Sequence, residues 1–355
     1  MKATDEQRRV LSTRELNRAL LARQLLLERS KVPLARALER IGGLQTQYAP
    51  SAYVSLWSRL HDFRRDTLTN ALKQRRVVQA TLMRATIHIV SAHDYPLLVE
   101  GIREGRRKWW LRVQRHQVEG LDMSRVASLL RKELARGPRR QADLMGMLGS
   151  KGFPRIAWSG ASLWIDMVRV PPSGTWHQRR ADLYGLAEDW LGPWNVTESQ
   201  GVEHLIHRYL SGFGPGSIND LADWAGLSVT ALRPVVGGMN LRRFSDERGR
   251  ELLDLPRAPL PDPESGAPVR FLPTWDATLL AHARRTQILP ERYRARVFNT
   301  KTPHSVPTFL IDGAVAGTWR HEKGHVSVAP FERLSPSVRG EVEDEAERLS
   351  AFHEE

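Results

Sequence analysis

Apolar residues recur at helical spacing through the first sixty positions. Leu16, Ala19, Leu20 and Leu27 make a stripe behind Ser12 and Glu15, whose three-residue separation is that of a capping box, and Arg23 interrupts the stripe. A second helix is predicted from Pro33, with Leu34, Leu38 and Ile41 on one face and Gly42-Gly43 as its stop. Pro50 suits the first turn of a third helix carrying Tyr53, Trp57 and Leu60. A fourth, after Asp66, leads into "VVQATLMRATIHIVSA", which alternates and predicts a β-hairpin. Helices followed by a hairpin are the outline of a winged helix-turn-helix.

The outline recurs twice. Val126, Leu129, Leu130 and Leu134 mark a helix over 124–136, "RQADLMGMLG" a short one closed by Gly149, and "WSGASLWIDMVRV" a helix running into a strand. "PPSGTWHQRRADLYGLA" then reads as a turn and a strand. From Ser199, Val202, Leu205, Ile206, Tyr209 and Leu210 line another helix. In "SINDLADWAGLSVTALRPVV", Ser217 caps with Asp220, Gly226 makes the turn, and Leu221, Trp224, Leu227, Leu232 and Val235 supply a core. Two strands around Gly249 complete the third unit. After the proline-rich "PRAPLPDPESGAP" comes a β-meander with turns at Asp312-Gly313 and Lys323-Gly324. A closing helix from Ser335-Pro336 buries Val338, Val342, Ala346 and Leu349. The predicted fold is α+β: three tandem winged-helix units and a C-terminal β-barrel, divided at 1–120, 121–195, 196–258 and 259–355.

Charge adds a partner to this picture. The 355 residues carry 53 Lys+Arg against 40 Asp+Glu, a net +13, and the acidic tail makes the upstream excess larger. Such a balance favours a polyanion, nucleic acid above all. The densest basic stretch, "GIREGRRKWWLRVQRH", sets Arg103, Arg106, Arg107, Lys108, Arg112 and Arg115 around Trp109-Trp110. It reads either as a phosphate-holding element or as a solvated basic helix over packed tryptophans. No cysteine is present, so disulfides, thiolate zinc sites and thiol catalysis are excluded. The sequence shows no membrane-length apolar run, signal peptide, phosphate loop, GxSxG or HExxH, and no metal or nucleotide cofactor is expected. A cytoplasmic, nucleoid-associated protein is the simplest expectation. His88 alternates with Ile87 and Ile89, which predicts a surface histidine on the unpacked side of a strand.

One short stretch, "GLQTQYAP", is unusual chemically. In extended backbone Gln45 and Gln47 point the same way, and two convergent amides can hold one water. The same residues also suit a polar loop that caps helix ends.

Five ordered blocks, "GLQTQYAPSAYVSLWSRL", "TLMRATIHIVSAHDY", "MVRVPPSGTWHQRRADLYGLA", "FLPTWDATLLAHARR" and "PTFLIDGAVAGTW", resemble the AlkZ-type winged-helix DNA glycosylases. The resemblance implies three winged helices around a concave DNA channel, braced by the barrel. It implies that Gln45 and Gln47 are the catalytic QxQ pair, placing the chain in the antibiotic-resistance-like branch, since a housekeeping branch has aspartate at the second position. DNA contacts are expected from Arg84, His88, Arg106, Arg107, Arg179 and Arg180. In this family a hairpin reaches the lesion, and "RVFNTKTPHSVP", with Asn299, Lys301 and His304, is its candidate here. Arg284 stands where the family pattern has an acidic residue. The implied partner is double-stranded DNA containing an alkylated purine, bound by a monomer. The implied reaction is hydrolytic release of bulky N7-alkylguanine, interstrand crosslinks included. A DNA-binding regulator without catalysis is the alternative.

Overall fold

The structure is a computed structural model and describes residues 8–281, 286–298 and 305–355. The opening capping box forms as the sequence predicts: Ser12 Oγ accepts from Glu15 N–H, and the Glu15 carboxylate accepts from Ser12 N–H. The helix runs Thr13–Arg23 and leaves Leu27 beyond its end. Arg23, the interruption in the apolar stripe, is buried as a bidentate ion pair with Asp254, at 2.6 and 3.0 Å. With Arg14 and Arg18 it also donates to carbonyls of Pro259, Pro263 and Ser265, so the proline-rich connector is strapped to the first helix. Helices Leu34–Ile41, Ala49–Arg59 and Arg65–Lys73 follow, then strands Val77–Thr81 and Ile87–Ser91.

Two features of the sheets were not visible in the apolar pattern. Residues Val10–Leu11 form a strand that pairs in parallel with Arg242–Asp246, itself paired with Glu251–Asp254, so the N-terminus completes a sheet near residue 250. The two expected hairpins of residues 77–91 and 167–186 also share one six-stranded sheet. Its order is Leu44–Gln45, Ile87–Ser91, Val77–Thr81, Met167–Arg169, Leu183–Leu186, Arg139–Arg140. Gln79 faces Arg169, and Ala80 faces Val168, across the join. In the second unit the helix expected to run into the strand is shorter, Ile156–Ala161, and the preceding one, Gln141–Ser150, continues through Gly149.

The expected closed barrel is absent among the described residues. Strands Arg270–Leu272, Thr308–Ile311, Ala314–Glu322 and His325–Pro330 form an open antiparallel sheet. Helices cover its two sides instead of strands. Helix Ala49–Arg59 reaches the first strand, where Ser58 Oγ donates to Phe271 C=O, and helix Pro336–Glu354 packs on the last, where Ser350 Oγ accepts from Val326 N–H. Covering an edge satisfies the same need as closing it.

The long helix Asp94–Val113 crosses helix Glu198–Phe213 at a pair of glycines. A Cβ on Gly201 would lie 2.3 Å from Gly101 N, and one on Gly101 2.5 Å from Gly201 C. Backbone thus meets backbone, and this crossing fixes helix Glu198–Phe213 against helix Asp94–Val113. Gly201→Ala should destabilise the protein by about 1–3 kcal/mol, measured as a shift in denaturation midpoint. Gly146→Ala, at a helical position where nothing lies within 4 Å of the added carbon, is the comparison without a clash.

Candidate active site

Gly42 ends helix Leu34–Ile41 in the left-handed conformation, at φ 77°, and Gly43 follows at φ 80° with no room for a side chain: its Cβ would sit 2.9 Å from Val90. The chain emerges extended. Gln45 pairs with His88 across the strand ladder, and Thr46 N–H donates to Ile87 C=O at 2.8 Å. Gln47 Oε1 then accepts from Ile87 N–H at 2.8 Å. Gln45 Oε1 accepts from Arg84 Nη2 at 2.7 Å. Both carboxamides are therefore anchored to one tight turn, residues 82–87, in which Arg84 and Ala85 have positive φ.

Both partners only donate, so each amide must turn its oxygen toward the turn and its NH2 outward. The remaining acceptor capacity is one lone pair on each oxygen. The two oxygens are not equivalent. Gln45 is 7% exposed and its oxygen faces a guanidinium, which depletes it as a base; Gln47 is exposed and its oxygen meets a neutral amide. Arg84 spans two units, since its Nη1 donates to Trp224 C=O at 2.8 Å. Gly226, beside that carbonyl, comes close enough that a Cβ there would lie 3.1 Å from Arg84 N. The third unit thus buttresses the turn that holds Gln45. Tyr48, next in the chain and 42% exposed, accepts from Arg179 Nη1 at 2.8 Å and lies under its guanidinium.

His88 corrects the expectation of a surface histidine: it is 2% exposed. Alternation assigns a side chain to a face, but both faces of this sheet are covered. Ile89 packs in one apolar core, and its neighbour Val90 in the other. Burial, with the Arg84 charge added, pushes the His88 imidazole down to about 3. The ring is neutral when folded, whereas the unfolded chain binds a proton below about pH 6.5. Its contribution to stability is therefore lost as pH falls from about 6.5 toward 3. Between pH 7.5 and pH 5 this group should account for about 2 kcal/mol of lost stability. Denaturant titrations at the two pH values should show a correspondingly smaller loss for His88→Gln.

The other expected contacts divide. A groove of 710 Å³ between helix Asp94–Val113 and helices Ile218–Ala225 and Val229–Gly238 is lined by Arg84, Arg106, Lys108, Trp109 and Arg112, with Glu198 and Asp223 also on its wall. Arg107 is turned away from it, with Nε on Leu163 C=O at 2.6 Å and its guanidinium over Trp164. Arg180 is exposed and paired with Asp182 at 3.0 Å. Asn299, Lys301 and His304 lie outside the described residues, as does Arg284. Among the described residues Glu39, His93 and Asp94 bring ligand atoms within 4.8 Å of one another. Asp94 is already held by Arg208, at 2.7 and 2.8 Å, and by His204 at 2.9 Å, so the group is an ion-pair network.

The family model that matches the chain is described as DNA glycosylase AlkZ-like, and it spans residues 38–352. The chain belongs to the AlkZ-like DNA glycosylase family. The glycosylase is also similar in structure to Streptomyces sahachiroi DNA glycosylase AlkZ, with a TM-score of 0.78, 20% identity, and 97% of each chain covered. No curated protein sequence matches it. At that identity the structural likeness concerns the fold. Among the described residues no helix of the glycosylase is long and apolar enough to cross a membrane. Sequence reading passed over Tyr48 and Gly226 as contributors to this site. Tyr48 adjoins the glutamines, and its aromatic ring in an otherwise polar loop is the signal that was available.

Proposed function

We propose that this DNA glycosylase hydrolyses the N-glycosidic bond of bulky N7-alkylguanine in duplex DNA, interstrand crosslinks included, with a water placed by Gln45 and Gln47. The observation that carries the reading is the anchoring of two carboxamides to one turn beside a basic groove. N7 alkylation leaves the base cationic, so it departs with the C1′–N9 electron pair as a neutral molecule and needs no general acid. Water adds to the oxocarbenium-like C1′ and yields its proton to bulk solvent, since the glutamine amides are not bases. What remains for the protein is placement. Gln47 Oε1, with a free lone pair and no cation against it, accepts from the water; Gln45, fixed by Arg84, orients Gln47 and the strand beneath.

Three winged helices remain the architecture we propose for DNA engagement. The clearest is helices Ile218–Ala225 and Val229–Gly238 with the hairpin Arg242–Asp246 and Glu251–Asp254. Arg179 and Arg180 are proposed phosphate contacts, and Arg84 and His88 are proposed to position the site; Arg106, at 3% exposure, is too buried for the phosphate contact the sequence suggested. The enzyme would act as a monomer on the chromosome in the cytoplasm and confer resistance to a DNA-alkylating natural product. Incubation with duplex containing N7-methylguanine or a bulky N7 adduct, followed by scoring of abasic sites, tests the reading. Binding without abasic product on any adduct would leave a DNA-binding protein of another purpose.

A further inference from the structure

Behind the turn that holds Gln45 lies a separate cavity of 210 Å³. Its apolar walls are Leu82, Val99, Ile102, Trp110 and Leu163, Arg103, Gln114, Ser159 and Ser162 add to the lining, and its rim is shared with the groove through Arg106 and Trp109. Leu82 begins the same turn that presents Arg84 to Gln45, so the cavity and the glutamines adjoin one short segment.

Arg106 is the anomaly of this cavity. It is 3% exposed, and its Nη1 is buried with no hydrogen-bond partner. Burial holds the guanidinium below its usual range, with no carboxylate acting against that push. Arg23 and Arg59, of comparable burial, are matched by Asp254 and Asp276, and Arg169, which has no carboxylate, still donates to Ala181 C=O, Thr81 Oγ1 and Tyr184 Oη. An uncompensated buried cation is costly, and such a cost persists where a ligand relieves it. The remaining surroundings define that ligand. Trp109 stacks on the Arg106 guanidinium at 5.2 Å while 42% of it stays exposed, an aromatic face at the boundary between groove and cavity. An apolar cavity of about 150 Å³ accommodates benzene, so this one accepts a somewhat larger ring. A flat guanidinium with a spare N–H both stacks on such a ring and donates to an acceptor on it.

We propose that the cavity is a lesion-recognition subsite for a planar aromatic group bearing a hydrogen-bond acceptor, held by Arg106 Nη1 and Trp109. The inference rests on the function proposed above. Two sources have this chemistry: an aromatic substituent on the alkylating adduct, and a nucleobase displaced from the stack. The subsite would explain how a site without a carboxylate selects its substrate, since a bulky adduct would be positioned by its substituent.

The test has two arms. In the first, binding of salicylamide and of free 7-methylguanine to the full chain is measured by ligand-observed NMR. At least one should bind at millimolar concentration, and Arg106→Met and the cavity-filling Ser162→Phe should each weaken it tenfold or more, with partial rescue in Arg106→Lys. In the second, kcat/KM is compared on duplexes carrying N7-(4-carbamoylbenzyl)guanine and N7-methylguanine. If the adduct substituent is the occupant, both variants lower the ratio of the two at least tenfold. If a displaced base is the occupant, free 7-methylguanine binds and both substrates lose rate together. If neither probe binds the wild type, or binding and the substrate ratio are unchanged in both variants, the proposal is overturned. Should the wild type release no base from any duplex while the probes still bind in an Arg106-dependent way, the reaction assignment fails and the subsite stands. Melting temperatures of both variants, unchanged within a few degrees, exclude misfolding.

Discussion

Replacing Gln47 by alanine is expected to lower release of N7-alkylguanine by at least about 10²-fold in kcat, the usual cost of losing one positioned polar group at a reacting centre. Gln45→Ala should cost less in the chemical step and more in structure. The Gln45 amide is buried, its oxygen accepts from a guanidinium, and its removal leaves Arg84 Nη2 without that acceptor. Gln47 is exposed, and its loss frees only one backbone N–H at the surface. Single-turnover rates on duplex with one adduct, with melting temperature in parallel, separate the two effects. Gln47→Glu keeps the acceptor and should retain measurable activity. If Gln47→Ala keeps the wild-type rate on every adduct, the water is held elsewhere. Arg84→Met should resemble Gln45→Ala, since Arg84 acts through that glutamine.

The second large effect concerns stability. Asp276→Ala should destabilise the protein by about 3–5 kcal/mol, because it strands the Arg59 guanidinium in a fully buried place. Arg59 donates to both Asp276 oxygens, at 2.8 and 2.9 Å, and to Ser55 and Thr278. Burial alone would raise the Asp276 carboxyl, but the Arg59 charge and the Thr278 hydrogen bonds outweigh it and hold it below its usual range. The pair joins helix Ala49–Arg59, which begins at the glutamine loop, to the C-terminal unit. Its loss should therefore lower the urea midpoint and loosen the glutamine loop together. A double substitution, Arg59→Met with Asp276→Leu, should recover much of the lost stability, since replacing a buried pair by apolar side chains is often neutral. Urea titration of the three proteins checks this. Equal midpoints for wild type and Asp276→Ala would mean the pair contributes nothing.

Why some of this was legible in the sequence and some was not follows from range. The capping boxes at Ser12 and Ser217, the glycine stops at Gly42 and Gly226, and the turns at Gly249, Asp312-Gly313 and Lys323-Gly324 are settled by a few adjacent residues, and each stands where its local chemistry predicts. Extended backbone after Gly43 is of the same kind, because two left-handed glycines leave no helical continuation. Charged residues in apolar stripes were legible only as interruptions. Arg23 looks like a fault in a helix face until Asp254, more than 200 positions away, supplies its counter-charge.

What the sequence by itself determined is the series of helices and hairpins, the basic excess, and a pair of glutamines held extended behind a helix stop. What only the tertiary structure decided is which faces are wet, which arginines are matched, and which way each amide points. His88 went inside because a second core covers its side of the sheet, and the C-terminal sheet stayed open because helices cover its edges. The glutamine oxygens are directed by Arg84 and Ile87, brought there by a turn that the third unit buttresses through Trp224. Periodicity reports what a segment does with its own neighbours. Burial and hydrogen-bond direction depend on partners far along the chain, and those exist only once it has folded.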